Sequence, residues 1–275
     1  MVGHQSVPEL PEVQTIVNDL QDELLGRRFV GVDIRWDRSI AEPEPEQFKR
    51  LLIGRTVESL GRRAKYLLLR LSGGYTLIVH LRMTGALLVA SCAEDSFARV
   101  IFQLDDDRCL TFRDIRKFGR LWLVHDESVV LGTLGPEPLS ADLSAEAFAH
   151  MLRQRRGALK SLLLDQRFLA GIGNIYVDES LFEAGLHPLR SAASLTEDEA
   201  ARLYHAVRAV LQGAITNRGT SLRDYVDAFG REGRNVPALC AYGRAGELCH
   251  RCGSRIERMV VAQRGTFYCP TCQLI

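Results

Sequence analysis

The chain has 275 residues, 46% of them hydrophobic and 25% charged, enough for one large domain or two ordinary ones. Its formal net charge of +1 excludes a nucleic-acid binder that works through bulk charge, so such a partner must be met by positive groups gathered on one face. No apolar run approaches the roughly 18 residues of a membrane span, and no basic-then-apolar leader is present, which reads as a cytoplasmic protein.

Residues 1–7 carry no periodicity and read as a disordered or processed lead. Over residues 11–25, Val13, Ile16, Val17, Leu20 and Leu24 recur at helical spacing, with Pro11 suited to the first turn and Gly26 just past the last. Residues 27–125 read as strands: a hairpin over 66–71 and 76–81 around Gly73-Gly74, then 87–90, 99–104, 108–112 and 119–124. Short strands at this spacing predict an antiparallel sandwich. Gly132, Gly135, Pro136 and Pro138 make 126–143 a linker. Helices follow over 144–155, 158–164 and 176–184, and Thr196 with Glu199 forms a capping box that opens another to about residue 216. The expected organisation is therefore α+β: a sandwich domain over 8–125, a linker over 126–143, a helical domain over 144–239 and a terminal module over 240–275.

That module carries Cys249, Cys252, Cys269 and Cys272 as C-x2-C, sixteen residues, C-x2-C. The spacing fits a ribbon in which four thiolates hold one structural zinc ion, with strands over 260–263 and 266–268 and Arg264-Gly265 at the tip. The other three cysteines, Cys92, Cys109 and Cys240, are scattered. An Arg on a rigid tip can pair with phosphate in two parallel hydrogen bonds; a solvated turn Arg is the plainer alternative.

Near the N-terminus, Pro8-Glu9-Leu10-Pro11-Glu12-Val13 reads by itself as an acidic helix start. Together with the ribbon it resembles the opening of the formamidopyrimidine-DNA glycosylase family. The resemblance runs nearly end to end, through Arg62-Arg63-Ala64-Lys65-Tyr66-Leu67, His80-Leu81-Arg82-Met83-Thr84-Gly85, Asp114-Ile115-Arg116-Lys117-Phe118-Gly119, Leu134-Gly135-Pro136-Glu137-Pro138-Leu139, Gly171-Ile172-Gly173-Asn174-Ile175-Tyr176 and Tyr242-Gly243-Arg244. It implies a sandwich followed by a helix–two-turn–helix domain and the ribbon. It also implies a monomeric DNA-repair enzyme of the bacterial nucleoid, with both glycosylase and abasic-site lyase activity.

The resemblance assigns catalysis to Pro8, Glu9, Lys65 and Arg264. In the family an N-terminal proline is the nucleophile. Its secondary amine can attack C1′ of the damaged nucleoside and become an iminium without losing a further proton, and an α-amino group has a pKa near 8. Glu9 is the implied acid/base, Lys65 binds the lesion or its 3′ phosphate, and Asn174 and Arg264 hold phosphate. Met83, Arg116 and Phe118 fill the gap left by a flipped base; core packing is the alternative for Met83 and Phe118. Further DNA contacts fall on His80, Lys160, Tyr242 and Arg244, although a strand histidine more often has its partners within the protein, and Tyr242 and Arg244 also suit packing of the ribbon. As written, Pro8 follows Val7 and its nitrogen is a tertiary amide. A GTG start codon reads as valine internally, so Val7 is the expected initiator, with a later maturation cut as the second reading and an inactive paralogue as the third.

Leu10 and Thr220-Ser221-Leu222-Arg223-Asp224-Tyr225 resemble the branch that removes oxidised purines, 8-oxoguanine and formamidopyrimidines. Gly233-Arg234-Asn235 stands where many relatives carry Gly-Tyr-Phe, and Gln14 replaces a more usual Glu. The rival readings are a non-catalytic zinc protein that binds damaged DNA, an oxidised-pyrimidine glycosylase, and a metal-dependent nuclease built on Asp105-Asp106-Asp107, which reads better as a turn.

Overall fold

The computed structural model describes residues 7–92 and 94–275. Apart from Val7, the expected lead lies outside them. The chain divides into two compact units, one of Val7–Thr133 with Asn217–Arg234, the other of Leu134–Thr216 with Asn235–Ile275.

The first unit begins with α1 (Leu10–Leu24). Glu9 and Glu12 form a reciprocal capping box, Pro11 occupies the first turn, and Gly26 leaves the helix at φ +77°. Val13, Ile16, Val17, Leu20 and Leu24 are buried along one face, each contributing about 1.5–3 kcal/mol by leaving water. Next come β1 (Phe29–Ile34), β2 (Ile40–Glu42), α2 (Pro45–Leu52), β3 (Val57–Arg63), β4 (Tyr66–Leu71), β5 (Tyr75–His80), β6 (Gly85–Ser91), β7 (Ala98–Leu104), β8 (Arg108–Asp114), β9 (Arg120–Val124) and the short α3 (Ser128–Leu131). They make two sheets, ordered β1-β7-β8-β6 and β2-β9-β5-β4-β3, antiparallel throughout except for the parallel β2–β9 pair. One apolar core draws on α1 and on both sheets, with Leu67, Leu69 and Val79 from one and Leu87, Phe102 and Phe112 from the other. The helix α2 lies inside the stretch expected to be strands. Cys92 and Cys109 are joined by a disulfide, which the scattered spacing did not suggest.

The second unit contains α4 (Ala145–Arg153), α5 (Leu159–Leu164), α6 (Asn174–Ala184), α7 (Glu197–Thr216), β10 (Glu257–Val261) and β11 (Arg264–Tyr268). The capping box at α7 is present, with the Thr196 amide donating to Glu199 at 2.9 Å and the Glu199 amide to Thr196 Oγ1 at 3.2 Å. Helix α6 packs on α5, α7 and β11. Two expectations are corrected. The segment Asn217–Arg234, assigned above to the helical domain, belongs with the sheets: the Val89 amide donates to the Ala228 carbonyl at 3.0 Å, and Tyr225 and Ala228 join the core. The ribbon tip is Ala262-Gln263, both at positive φ (48° and 60°), because Val261 pairs with Arg264 and closes a two-residue turn. Arg264 therefore opens β11. No helix among the described residues is long and apolar enough to cross a membrane.

Candidate nucleic-acid interface

Pro8 and Glu9 stand at the head of α1, both buried. The Glu9 carboxylate accepts the Glu12 amide in the capping box, where the helix dipole favours negative charge. Glu12 is occupied on both sides: Oε2 takes the Glu9 amide and Oε1 the Thr220 amide, each at 2.8 Å. Lys65 lies in the turn between β3 and β4, half-buried, after Ala64 at φ 52°. Arg62 fixes that turn against α1, donating to Gln14 Oε1 and to the Ala64 carbonyl, both at 3.0 Å. Pro8 and Glu9 thus precede α1 and Lys65 follows β3, and α1 packs on β3 and β4.

Met83 sits in the turn after β5 and Arg116 and Phe118 in the turn after β8. The buried Asp114 carboxylate ties the two. Its Oδ1 accepts the Thr84 hydroxyl at 2.5 Å and the Arg116 amide at 3.1 Å, and its Oδ2 accepts the Gly119 amide at 2.7 Å. Phe118 is 47% exposed, so core packing does not describe it, and the Arg116 guanidinium stacks over its ring at 5.0 Å. Met83 is half-buried. His80 departs from the expectation of a DNA contact. It is 7% exposed, Nδ1 accepts the Arg82 amide at 3.0 Å, and its ring packs edge-on against Tyr66. Burial, with Arg82 and Lys65 nearby, depresses its pKa to about 3, so the imidazole is neutral. The acidic turn 105–107 is salt-bridged to Arg27 and Arg108, and the four ribbon cysteines are the one metal-holding cluster among the described residues.

In the second unit Asn174 is the first residue of α6, and its Nδ2 donates to the Gly265 carbonyl at 3.0 Å. Lys160, expected on the DNA side, is instead fully buried: Nζ lies 2.6 Å from Asp178 Oδ1 and 3.1 Å from the Gly265 carbonyl. Asp178 Oδ2 in turn takes the Phe267 amide at 2.9 Å. Burial pushes the Asp178 carboxyl up to about 7, against the pull of Lys160. Tyr242 is buried and packs edge-on against Phe267, and Arg244 is turned inward onto Glu247 and the Cys240 and Leu248 carbonyls. Both therefore pack the ribbon, the alternative kept open above. Glu179 accepts the successive amides of Cys240, Ala241 and Tyr242 at 2.8, 2.9 and 2.7 Å. Arg264 is exposed.

The four cysteine sulfurs lie within 4.8 Å of one another, with Cys249–Cys272 at 3.9 Å and Cys252–Cys269 at 3.5 Å. A tetrahedron with metal–sulfur bonds of ~2.3 Å has edges of about 3.8 Å. The set fits one structural zinc ion, with no position left open for chemistry.

Three family descriptions match in order along the chain: the formamidopyrimidine-DNA glycosylase N-terminal domain over residues 7–121, the H2TH domain of the same enzymes over 134–226, and the zinc finger found in FPG and IleRS over 246–275. The chain belongs to the formamidopyrimidine-DNA glycosylase family. Relatives of that name include one from Chloroflexus aurantiacus, 49% identical over 273 residues covering 98% of each chain. Another, from Roseiflexus sp., is 47% identical and covers 97% of this chain and 100% of its own length. Among solved structures, Lactococcus lactis Fpg with DNA containing an abasic site aligns at a TM-score of 0.91 and 35% identity, over 97% of this chain and 100% of that one. A Lactococcus lactis mutant with DNA containing Fapy-dG also aligns at 0.91, with 34% identity over 98% of this chain and 100% of that one.

Gln14 is a neutral partner for Arg62. The segment Asn217–Arg234 is fastened by charge. Arg218 bridges both Asp19 oxygens at 2.7 Å and Asp227 at 2.5 Å, and Arg231 meets Asp227 at 2.9 Å. Gly233 admits no side chain, since a Cβ there would lie 2.2 Å from the Gly219 carbonyl oxygen. Asn235 is buried beyond it. Asp114, Asp178 and Glu179 were assigned no role from sequence. For Asp178 and Glu179 the usable signal was a carboxylate within an apolar stretch, which must find donors when buried; Asp114, among Arg113, Arg116 and Lys117, carried no such signal.

Proposed function

We propose that the chain is a bifunctional glycosylase and abasic-site lyase that removes oxidised purines from duplex DNA, with Pro8 as the nucleophile. The observation that carries this reading is the N-terminal family match, which begins at residue 7, immediately before Pro8-Glu9. The relatives crystallised with DNA held an abasic site or a Fapy-dG lesion, and DNA of that kind is the proposed substrate.

The Pro8 nitrogen attacks C1′ and gives up its N–H proton, and the bond from C1′ to the base breaks, the base leaving with the electron pair and taking up a proton. Opening of the sugar ring, with protonation of its oxygen, leaves an iminium on Pro8. Loss of a C2′ proton then expels the 3′ phosphate, and a second elimination, with loss of another sugar proton, expels the 5′ phosphate, leaving a one-nucleotide gap; water hydrolyses the iminium, releasing the unsaturated sugar remnant and restoring the Pro8 amine. Glu9 is placed by sequence to move the protons at the sugar oxygen and the departing base. Lys65 supplies positive charge to the lesion or its 3′ phosphate, and Asn174 and Arg264 hold backbone phosphate. Met83, Arg116 and Phe118 occupy the space that the extruded base leaves, offsetting an unstacking cost of about a few kcal/mol. Zinc keeps the ribbon folded and touches no reacting atom.

An amide nitrogen cannot make this attack, so the working polypeptide must begin at Pro8, by initiation at Val7 followed by methionine removal or by a later cut. Borohydride trapping on duplex containing 8-oxoguanine tests both points, using a chain that retains residues 1–7 and one that starts at Pro8. A covalent adduct with the shorter chain alone supports the reading. An adduct with the longer chain, its leader verified intact by mass, would make another group the attacker. Absence of an adduct with either favours a protein that binds damaged DNA without cutting it.

A further inference from the structure

The turns bearing Met83 and Arg116–Phe118 are separate in sequence, yet one buried acceptor holds both. Asp114 ends β8, is 0% exposed, and divides its carboxylate between them. The Thr84 hydroxyl donates to Oδ1 and itself accepts the Arg116 amide at 3.1 Å, so the first turn is hydrogen-bonded directly to the second. The main chain of Asp114 is fixed as well: its amide donates to the Phe97 carbonyl at 3.0 Å, and its carbonyl accepts Arg99 Nε at 2.7 Å.

Each turn also holds a residue in a conformation that side chains disfavour, Arg82 at φ 56° and Lys117 at φ 62°. Such geometry persists only where the surroundings impose it. Gly119 gives the second turn no slack, because a Cβ there would meet the Phe112 ring at 2.3 Å and Asp114 Oδ2 at 3.2 Å. Lys117 is engaged separately, its ammonium 4.1 Å over the Trp36 ring. Arg116 and Phe118 stack on each other and remain at the surface.

We propose that Asp114 is the positioning residue that joins the two turns into one preorganised insertion element, so that Met83, Arg116 and Phe118 enter the base stack together. This rests on the reading of those three side chains given above. The physical reason is entropic. Two independent turns would each have to be ordered at the moment a base leaves the stack, and fixing each side chain costs conformational entropy, whereas a turn pair ordered beforehand does not bear this cost during extrusion. Asp114→Asn keeps the shape but sets an amide N–H₂ against one of the N–H donors. Thr84→Val removes the bridging hydroxyl and Thr84→Ser retains it.

The test compares duplex carrying a paired 8-oxoguanine, which must be extruded, with duplex carrying a preformed abasic site, which has no base to extrude. Asp114→Asn is expected to slow single-turnover excision of the paired base about tenfold or more while strand cleavage at the abasic site stays within about threefold. The fluorescence rise of 2-aminopurine stacked beside the lesion, which reports insertion, falls with it. Thr84→Val follows Asp114→Asn, and Thr84→Ser retains the wild-type pattern. Equal losses on both substrates would overturn the proposal, as would wild-type excision by Asp114→Asn or by Thr84→Val. If the wild type binds the duplex without cutting, the catalytic reading fails separately and the fluorescence rise alone decides: an undiminished rise in Asp114→Asn and Thr84→Val overturns the positioning role.

Discussion

Lys160→Met separates a lysine that faces DNA from one that holds the interior together. Both partners of the Lys160–Asp178 pair are completely buried, 2.6 Å apart. Removing the ammonium leaves the buried Asp178 carboxyl with the Phe267 amide still donating to it, while Gly265 keeps the Asn174 donor. Breaking a buried pair from one side costs about 3–5 kcal/mol, whereas neutralising both partners is often nearly neutral. Lys160→Met should therefore destabilise the zinc-bearing unit by about 3–5 kcal/mol, and adding Asp178→Asn should recover most of that loss. The pH dependence has a definite sign. A carboxyl raised from 3.8 to about 7 gives stability that is fully present below 3.8 and is lost as pH rises through about 7. Without Lys160 the carboxyl moves higher still, so the deficit of the single variant grows above pH 7 while that of the double variant does not. Urea unfolding, with zinc release to a colorimetric chelator as the signal, measures each value. A single variant within about 1 kcal/mol of wild type, with a salt slope of DNA binding smaller by about one, would refute the buried pair and restore Lys160 to the DNA surface.

Phe118→Ala removes an exposed ring, so stability should stay within about 0.5 kcal/mol while excision of a paired lesion falls about tenfold; a large drop in unfolding midpoint would return Phe118 to the core. Cys252→Ser deletes one of four sulfur ligands, and atomic absorption should find less than one zinc per chain, together with weaker binding to abasic-site duplex. His80→Gln tests the neutral imidazole. A group depressed from 6.5 to about 3 gives stability that is present above 6.5 and lost as pH falls toward 3. Wild type should therefore lose stability relative to the glutamine variant between pH 7 and pH 5 in denaturant titrations, and a difference constant across that range would contradict the burial argument.

What was legible in the sequence is what local spacing encodes. The α1 face, the β4–β5 hairpin around Gly73-Gly74 and the paired C-x-x-C turns each declare themselves within a short window. Helix α2 did not, because it buries only Phe48 and Leu52 among charged neighbours, too few apolar points to set a period. The ribbon tip was misplaced by two residues because Gly265 looked like the turn, whereas strand register put Ala262 and Gln263 there. The Cys92–Cys109 bond depends on β6 lying beside β8, where Ala90 pairs with Cys109, and no spacing along the chain announces that adjacency. Likewise Asn217–Arg234 joins the sheets through Glu12 and Asp19, about two hundred positions earlier.

The site residues divide along the same line. Family resemblance marks positions, but whether a side chain reaches solvent depends on the element that carries it. Phe118, on a strand-end turn, projects; Lys160, on a short helix among the buried Leu159, Leu162 and Leu163, cannot. The sequence contained the means to tell them apart. Helix α6 places the adjacent carboxylates Asp178 and Glu179 in a run whose neighbours Tyr176, Val177, Leu181 and Phe182 are all buried. Buried carboxylates require a cation or several N–H donors. The structure answers with Lys160 for Asp178 and three consecutive amides for Glu179. A lone lysine in one apolar helix and an unmatched carboxylate in the next are two halves of one electrostatic requirement. Reading them together would have moved Lys160 from the DNA surface to the joint that fixes Gly265, and with it the start of the strand carrying Arg264.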